Sequence, residues 1–302
     1  MSDRPLTRRP RRRIRFRRSL VPYLFVLPNM AIFGLFTIWP ALNGFNLSLY
    51  DSNNGLTFHP VGTGNYRRIL SSNEFWAVAR QTAEFVAGFV VVSAVASTAL
   101  ALMLNRQRRG RGALSAAYFL PFVVSPVVVG LIWNAALDRR TGLVNEVIGA
   151  VGLGHPAWLV TPRLALISVI LVGVWIHLGF YTMITLSGLQ AIDAQIYEAA
   201  TIDGAGVWNT VWHITLPLLR PTTTVVITLA TIAGFQAFDF IFTLTGGGPV
   251  GATTLLVQYI YTNGFTSPIS YGVASAAAVI LFLVVFAVTF LNYVVGRRRE
   301  AV

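Results

Sequence analysis

The chain has 302 residues, 55% of them hydrophobic and only 11% charged, with a mean hydropathy of +0.64. A soluble domain carries about 25% charged residues, so this chain lacks the polar surface to coat a water-soluble globule, and the bilayer is its predicted solvent. All 23 basic residues are Arg and there is no Cys, which excludes disulfides, thiolate metal sites, Schiff-base lysines and a Lys-bearing phosphate loop; any ATP must be bound by another chain.

The first 19 residues form a basic tail with nine Arg in residues 1–18. With a net charge of +12, nucleic acid or a specific lipid is one reading, but clustering beside an apolar stretch reads as a cytoplasmic topology signal. The twin arginines resemble an export signal. No small-residue cleavage site follows, so an uncleaved first span is expected.

A helix crossing the hydrocarbon core needs about 20 mainly apolar residues. Six stretches qualify: Val21–Phe45, Glu84–Leu104, Leu114–Ala136, Leu164–Leu186, Thr222–Leu244 and Val273–Val295. None alternates like a strand, so the fold class is an all-α integral membrane protein with six transmembrane helices. Pro28, Pro40, Pro121 and Pro126 are candidate kinks in the first and third spans. The segments facing the same side as the tail hold 17 Arg and the opposite segments six. Both termini are therefore expected in the cytoplasm. The expected division is a tail, 1–19, a six-span domain, 20–296, and a second tail, 297–302.

Two connections are too organised to be spacers. The cytoplasmic segment 190–221 reads as helix, turn, helix. Ile192, Ile196, Ala199 and Ala200 precede the helix stop Asp203-Gly204-Ala205-Gly206. Trp208, Val211 and Trp212 then recur at helical spacing, and Pro217 and Pro221 suit the start of the fifth span. On the other side, Gly246-Gly247-Gly248-Pro249 forces a turn. Leu255–Phe265 is too short to span and is expected to lie at the interface or to re-enter.

Glu198-Ala199-Ala200, three residues, Gly204, nine residues, and Ile214-Thr215-Leu216-Pro217 resemble the E-A-A-x3-G-x9-I-x-L-P loop of membrane permeases in bacterial ABC importers. Every fixed position matches. Phe238-Asp239-Phe240-Ile241, Leu244-Thr245 with the Gly-Gly-Gly-Pro turn, Thr253-Thr254, Tyr259-Ile260-Tyr261, Phe265 and Tyr271-Gly272 look like the permeases for sugars and glycerol phosphate. Gly64-Asn65-Tyr66 with Phe75-Trp76 points to the same maltose-type group.

The resemblance implies a type I ABC importer permease fold in the bacterial inner membrane. It implies a second, related permease, two ATPase subunits holding ATP and Mg, and an extracytoplasmic binding protein delivering a sugar. No cofactor is expected in this chain, no nucleic acid is an expected partner, and the chain is not itself an enzyme. The loop would dock in a cleft on the ATPase. Gly204 and Gly206 allow close backbone approach, and Ala199 and Ala200 allow intimate contact. Glu198 would offer a carboxylate to a basic group on the partner and Trp208 and Trp212 apolar anchors, with Asp203, Ile214, Leu216 and Pro217 in the same coupling segment. The alternative is a loop folded back on its own bundle.

Polar groups deep in a span need a reason. His177 lies near the middle of the fourth span; Phe235 and Gln236 lie near the middle of the fifth. Asp239 follows one turn on, and Phe235 with Asp239 shares a helical face that includes Gln236. By the resemblance, His177, Gly179, Tyr181 and Thr182 would face Phe235, Gln236 and Asp239 across a sugar site. Interhelical hydrogen bonding is the competing reading for His177 and Gln236. Arg80 with Glu84 reads as a helix-surface pair, and Asn134 as structural. H-E-x-x-H, Cys and G-x-S-x-G chemistry are absent, which disfavours an intramembrane enzyme. An ion-coupled secondary transporter is the other rival, but no internal repeat is evident.

Overall fold

The computed structural model describes residues 12–106, 110–152 and 154–300. Residues 1–11 of the basic tail, Arg108 and Arg109 of the second basic cluster, and residues 301–302 of the last tail lie outside the described residues. Apart from a two-residue antiparallel ladder, β1 (Tyr50–Asp51) with β2 (His59–Pro60), the regular structure is helical.

α1 (Arg12–Phe33) passes through a π-turn, Gly34–Ile38, into α2 (Trp39–Leu47). The 25-residue apolar stretch Tyr23–Leu47 is long enough to cross a bilayer, and none of its most apolar window is buried within this chain. Only its far end leans on the bundle, where Phe45 meets Phe282 edge to face at 5.8 Å.

The centre of the bundle is α4 (Asn73–Arg106) against α8 (Pro162–Gln190). Gly88 lets them approach: a Cβ there would stand 2.8 Å from Ile170 Cδ1. Phe85, Phe89, Val169, Ile176 and Tyr181 form the core between them, and α12 (Arg220–Phe235) adds Val226, Ala230 and Phe235.

The third expected span is not one straight helix. α5 (Arg111–Val123) and α6 (Pro126–Ala136) meet at 97°. Ser125 is extended, with ψ 127°, because the ring of Pro126 disfavours helix in the residue before it. The fifth expected span also breaks. α12 ends at Phe235, and the chain restarts as α13 (Asp239–Leu244). The displaced halves find each other: Asn134 Nδ2 on α6 donates to Leu244 O on α13 at 2.7 Å. A Cβ on Gly130 would strike Thr243 and the Phe240 carbonyl. Four helical stretches are long and apolar enough to cross a membrane, or up to six if α5 with α6, and Val207–Leu218 with α12 across a 66° bend, are each one span.

At one end of the bundle, α3 (Gly64–Leu70) joins first helix to last. Asn65 Nδ2 donates to Ser48 O and Tyr50 O, both at 2.9 Å, and the Tyr66 and Ser48 hydroxyls are 2.7 Å apart. Tyr271 N donates to Ser52 O at 2.9 Å as α15 (Tyr271–Glu300) begins. A Cβ on Gly272 would collide with the Tyr50 carbonyl. The Gly64-Asn65-Tyr66 and Tyr271-Gly272 motifs are thus two halves of one clasp. α14 (Leu256–Phe265) has the expected short length and is pinned to α4, its first N–H donating to buried Thr82 Oγ1 at 3.0 Å. Beyond α6, the Thr141 and Arg140 N–H groups cap the Asp138 carboxylate and hold its pKa below the usual carboxylate value. α7 (Leu143–Ala150) follows. The exposed pair Arg80–Glu84, 2.7 Å, is the only ion pair among the described residues.

Candidate functional site

The connection between α8 and α12 lies at the end of the bundle where α4 finishes. Leu219 packs there in one cluster with Ala101, Leu104, Leu186 and Leu189. It comprises α9 (Ala194–Ile202), α10 (Val207–Thr210), a π-turn at Val211–Thr215, and α11 (Leu216–Leu218). Asp193 caps α9, its Oδ1 accepting from Gln195 N at 2.9 Å. The helix stops at Gly204, whose φ is +74°. Ala205 N donates to Ala200 O at 2.9 Å and Gly204 N to Thr201 O at 3.1 Å. Both bonds together make a Schellman stop, which needs a left-handed residue at this one position.

The motif residues divide between two faces. Ala200 is buried and Ile214, Leu216 and Pro217 are half-buried, so these hold the connection to the bundle. Glu198, Ala199, Asp203, Gly204 and Gly206 are exposed. Beside them stand Trp208, 72% exposed, and Trp212, 54% exposed, with ring centroids 6.0 Å apart. Ile202, at 86%, and Val207 extend the same apolar surface. Tyr197, which sequence reasoning passed over, fixes the two helices relative to each other: its hydroxyl lies 3.3 Å from Thr215 Oγ1, which donates to Thr210 O across the π-turn. No local signal marks that bond, because it depends on the register the π-turn imposes.

The break between α12 and α13 is the second site. Because residues 236–238 leave the helix, the expected common face of Phe235 and Asp239 does not form. Phe235 turns into the core, whereas Gln236 and Asp239 are exposed. Among the described residues, neither polar side chain has a partner. Gln236 also caps one end of an open groove of about 930 Å³ between α12 and α15, lined chiefly by apolar side chains such as Ile232, Phe282 and Phe286.

The fourth-span residues lie elsewhere. His177 Nδ1 donates to Gly173 O at 3.0 Å, and its ring is enclosed by Phe89, Phe122 and Tyr181. At Gly179 α8 approaches α5 closely, since a Cβ there would strike the Tyr118 carbonyl. Tyr181 and Thr182 are buried, and Thr182 Oγ1 donates to Leu178 O at 2.6 Å. Phe89 stands between His177 and α12, with its ring 5.4 Å from the imidazole and 3.2 Å from a Cβ built on Gly234. Among the described residues, no hydrogen bond or ring contact joins His177 to Phe235, Gln236 or Asp239. Phe85 and Phe89, stacked at 5.7 Å, were legible only as an i, i+4 aromatic pair.

Residues 85–301 match the family model described as binding-protein-dependent transport system inner membrane component. The chain belongs to that family. This transport component is 36% identical to the trehalose/maltose transport system permease protein MalF of Thermococcus litoralis, over 95% of this chain and 97% of that one. It is 33% identical to the lactose transport system permease protein LacF of Rhizobium radiobacter, covering 92% and 94% of the two chains. A solved structure of a bacterial alginate ABC transporter, in complex with a pentasaccharide-bound periplasmic protein, contains a chain of the same fold. The match has TM-score 0.82 and 24% identity, over 96% of this chain and 98% of the other. The inner membrane component is thus a multi-pass membrane protein of a transport system rather than an enzyme, and both candidate sites fall inside the matched residues.

Proposed function

We propose that this chain is the permease subunit of an ATP-driven, binding-protein-dependent sugar importer and forms half of its translocation pathway. In this reading α5 with α6 makes the third span and α12 with α13 the fifth of a six-span membrane domain with cytoplasmic termini. The α8–α12 connection and the Arg106–Arg111 segment at the end of α4 share the cytoplasmic side. A related second permease completes the pathway, two ATPase subunits hold ATP and Mg, and an extracytoplasmic protein delivers the sugar. The relatives' names support a sugar as substrate.

The observation that carries the reading is the exposed face of the α8–α12 connection. Ile202, Val207, Trp208 and Trp212 stand out beside the Glu198 carboxylate on a segment whose inner face is already packed. Clustered exposed apolar groups of this kind mark an interaction surface, and tryptophans dominate such contacts. A loop folded back on its own bundle would have buried them. At the other site, Gln236 and Asp239 supply an amide and a carboxylate for sugar hydroxyls. His177, Gly179, Tyr181 and Thr182 stabilise the α4–α5–α8 joint behind it.

The test is purification from the native membrane followed by reconstitution. An ATPase subunit should co-purify, and uptake of binding-protein-delivered sugar into proteoliposomes should require ATP. Autonomous uptake driven by an ion gradient would refute the proposal.

A further inference from the structure

Behind the exposed face of the α8–α12 connection lies a cavity of about 270 Å³ that neither candidate site uses. Its walls belong to two different parts of the chain. Leu102 and Asn105 of α4 and Leu189 of α8 form the bundle side, and Leu189 is held in the cluster with Leu219. Tyr197 and Thr201 of α9, Thr210 of α10 and Thr215 of the π-turn form the side that belongs to the connection. A shift of the connection relative to α4 therefore changes the shape of this cavity directly.

The polar lining is one-sided. Thr201 Oγ1 donates to Tyr197 O at 2.8 Å, Thr210 Oγ1 to Gly206 O at 3.1 Å and Thr215 Oγ1 to Thr210 O at 3.3 Å. With the Thr215 proton already committed, the Tyr197 hydroxyl is the donor in its 3.3 Å contact with Thr215 Oγ1. Each of these hydroxyls has given its only proton within the chain and keeps lone pairs with which to accept. The Asn105 amide has no partner among the described residues and offers both a donor and an acceptor. Among the described residues no charged side chain lines the cavity, and the rest of the lining is aliphatic. An anion there would face acceptor oxygens with no cation to offset them. An ammonium group would lose its hydration with no carboxylate beside it. A neutral molecule rich in hydroxyls avoids both costs: its protons go to the threonine and tyrosine oxygens, its own oxygens accept from Asn105, and its C–H groups rest on leucine and valine. The volume corresponds to roughly nine waters and falls just below the range of drug-sized pockets, which suits one sugar ring and not a chain of them.

We propose that this cavity is a regulatory site for a neutral polyol of monosaccharide size, which enters from the cytoplasmic side, holds the α8–α12 connection against the bundle and slows turnover. The proposal rests on the reading of the connection as the handle gripped by an ATPase, and it adds a restraint on that handle by sugar already inside the cell.

The experiment uses the complete importer in proteoliposomes, with its ATPase subunits facing outward and its binding protein in the lumen. Glucose, myo-inositol, sucrose and gluconate are added outside while ATP hydrolysis is followed. Glucose or myo-inositol should inhibit with saturation; sucrose, which is too large, and gluconate, which is charged, should not. Asn105→Leu removes the free amide, and Thr201→Val removes one acceptor at nearly constant shape. Each should raise the half-inhibitory concentration roughly two- to tenfold, the scale of one lost hydrogen bond. No inhibition, equal inhibition by all four probes, or inhibition unchanged in both variants overturns the proposal. Because the chain has no Cys, Thr201→Cys reports occupancy without transport. Glucose or myo-inositol should slow the labelling of this chain by a small maleimide, and gluconate should not. A thiol that no polyol protects overturns the site even where turnover is inhibited. If the unaltered complex shows no ATP-dependent uptake, the importer reading itself fails, and thiol protection alone decides the cavity.

Discussion

Gly204 separates two causes that a single substitution would confuse. Its φ of +74° makes any L-residue with a Cβ strained, at about 1–2 kcal/mol, which shifts the turn population roughly 5–30-fold. Inside the chain a Cβ meets nothing within 4 Å, so crowding can come only from a partner. Gly204→Ala adds strain and one carbon. Gly204→Asn adds a larger side chain but tolerates the left-handed region better. If an ATPase approaches this backbone, Asn should uncouple transport more than Ala despite the easier turn. If the turn alone matters, Asn should be the milder change. Sugar uptake and ATP hydrolysis, measured together in proteoliposomes of the assembled complex, give the ratio that decides. We expect the order glycine, alanine, asparagine. A Gly204→Asn complex that couples better than Gly204→Ala would refute the docking argument.

Other changes test individual contacts. Thr82→Val keeps the shape of a buried side chain but leaves the Leu256 N–H unpaired, which costs about 1–3 kcal/mol; the unfolding temperature in detergent should drop, and Thr82→Ser should restore it. Gly179→Ala pushes a methyl into the Tyr118 carbonyl and should destabilise by about 1–3 kcal/mol. Unchanged stability with weakened sugar transport would instead place Gly179 at the substrate. Asp239→Ala removes an exposed carboxylate that has no partner among the described residues and should leave stability within about 0.5 kcal/mol while lowering uptake; wild-type kinetics would remove Asp239 from the site.

Four of the apolar stretches and the helix end inside the α8–α12 connection were legible because each depends on local rules. Apolar length and the Asp203-Gly204 stop act within a few residues, and the structure places a helix end at that stop. The 97° break before Pro126 had its signal in the proline. The break at 236–238 had none. Neither Pro nor Gly lies within it, and it is stabilised by α13 packing on α6, a contact between residues more than a hundred positions apart. That is why Phe235, Gln236 and Asp239 were expected on one face and occupy two. The placement of Phe89 between His177 and α12 was hidden for the same reason, since helix order in space is decided by packing. The Asn65 clasp lay in a motif whose residues were visible, but its partners at Ser48, Tyr50 and Gly272 became evident only in three dimensions.

The most direct measurement uses the absence of cysteine. Trp208→Cys places one thiol in this chain, on the exposed face of the α8–α12 connection. In the assembled complex, a short bifunctional maleimide should join this chain to a nucleotide-hydrolysing subunit, and a membrane-impermeant maleimide added outside intact cells should not reach the thiol. Efficient labelling from outside, with no ATPase crosslink from within, would contradict the account.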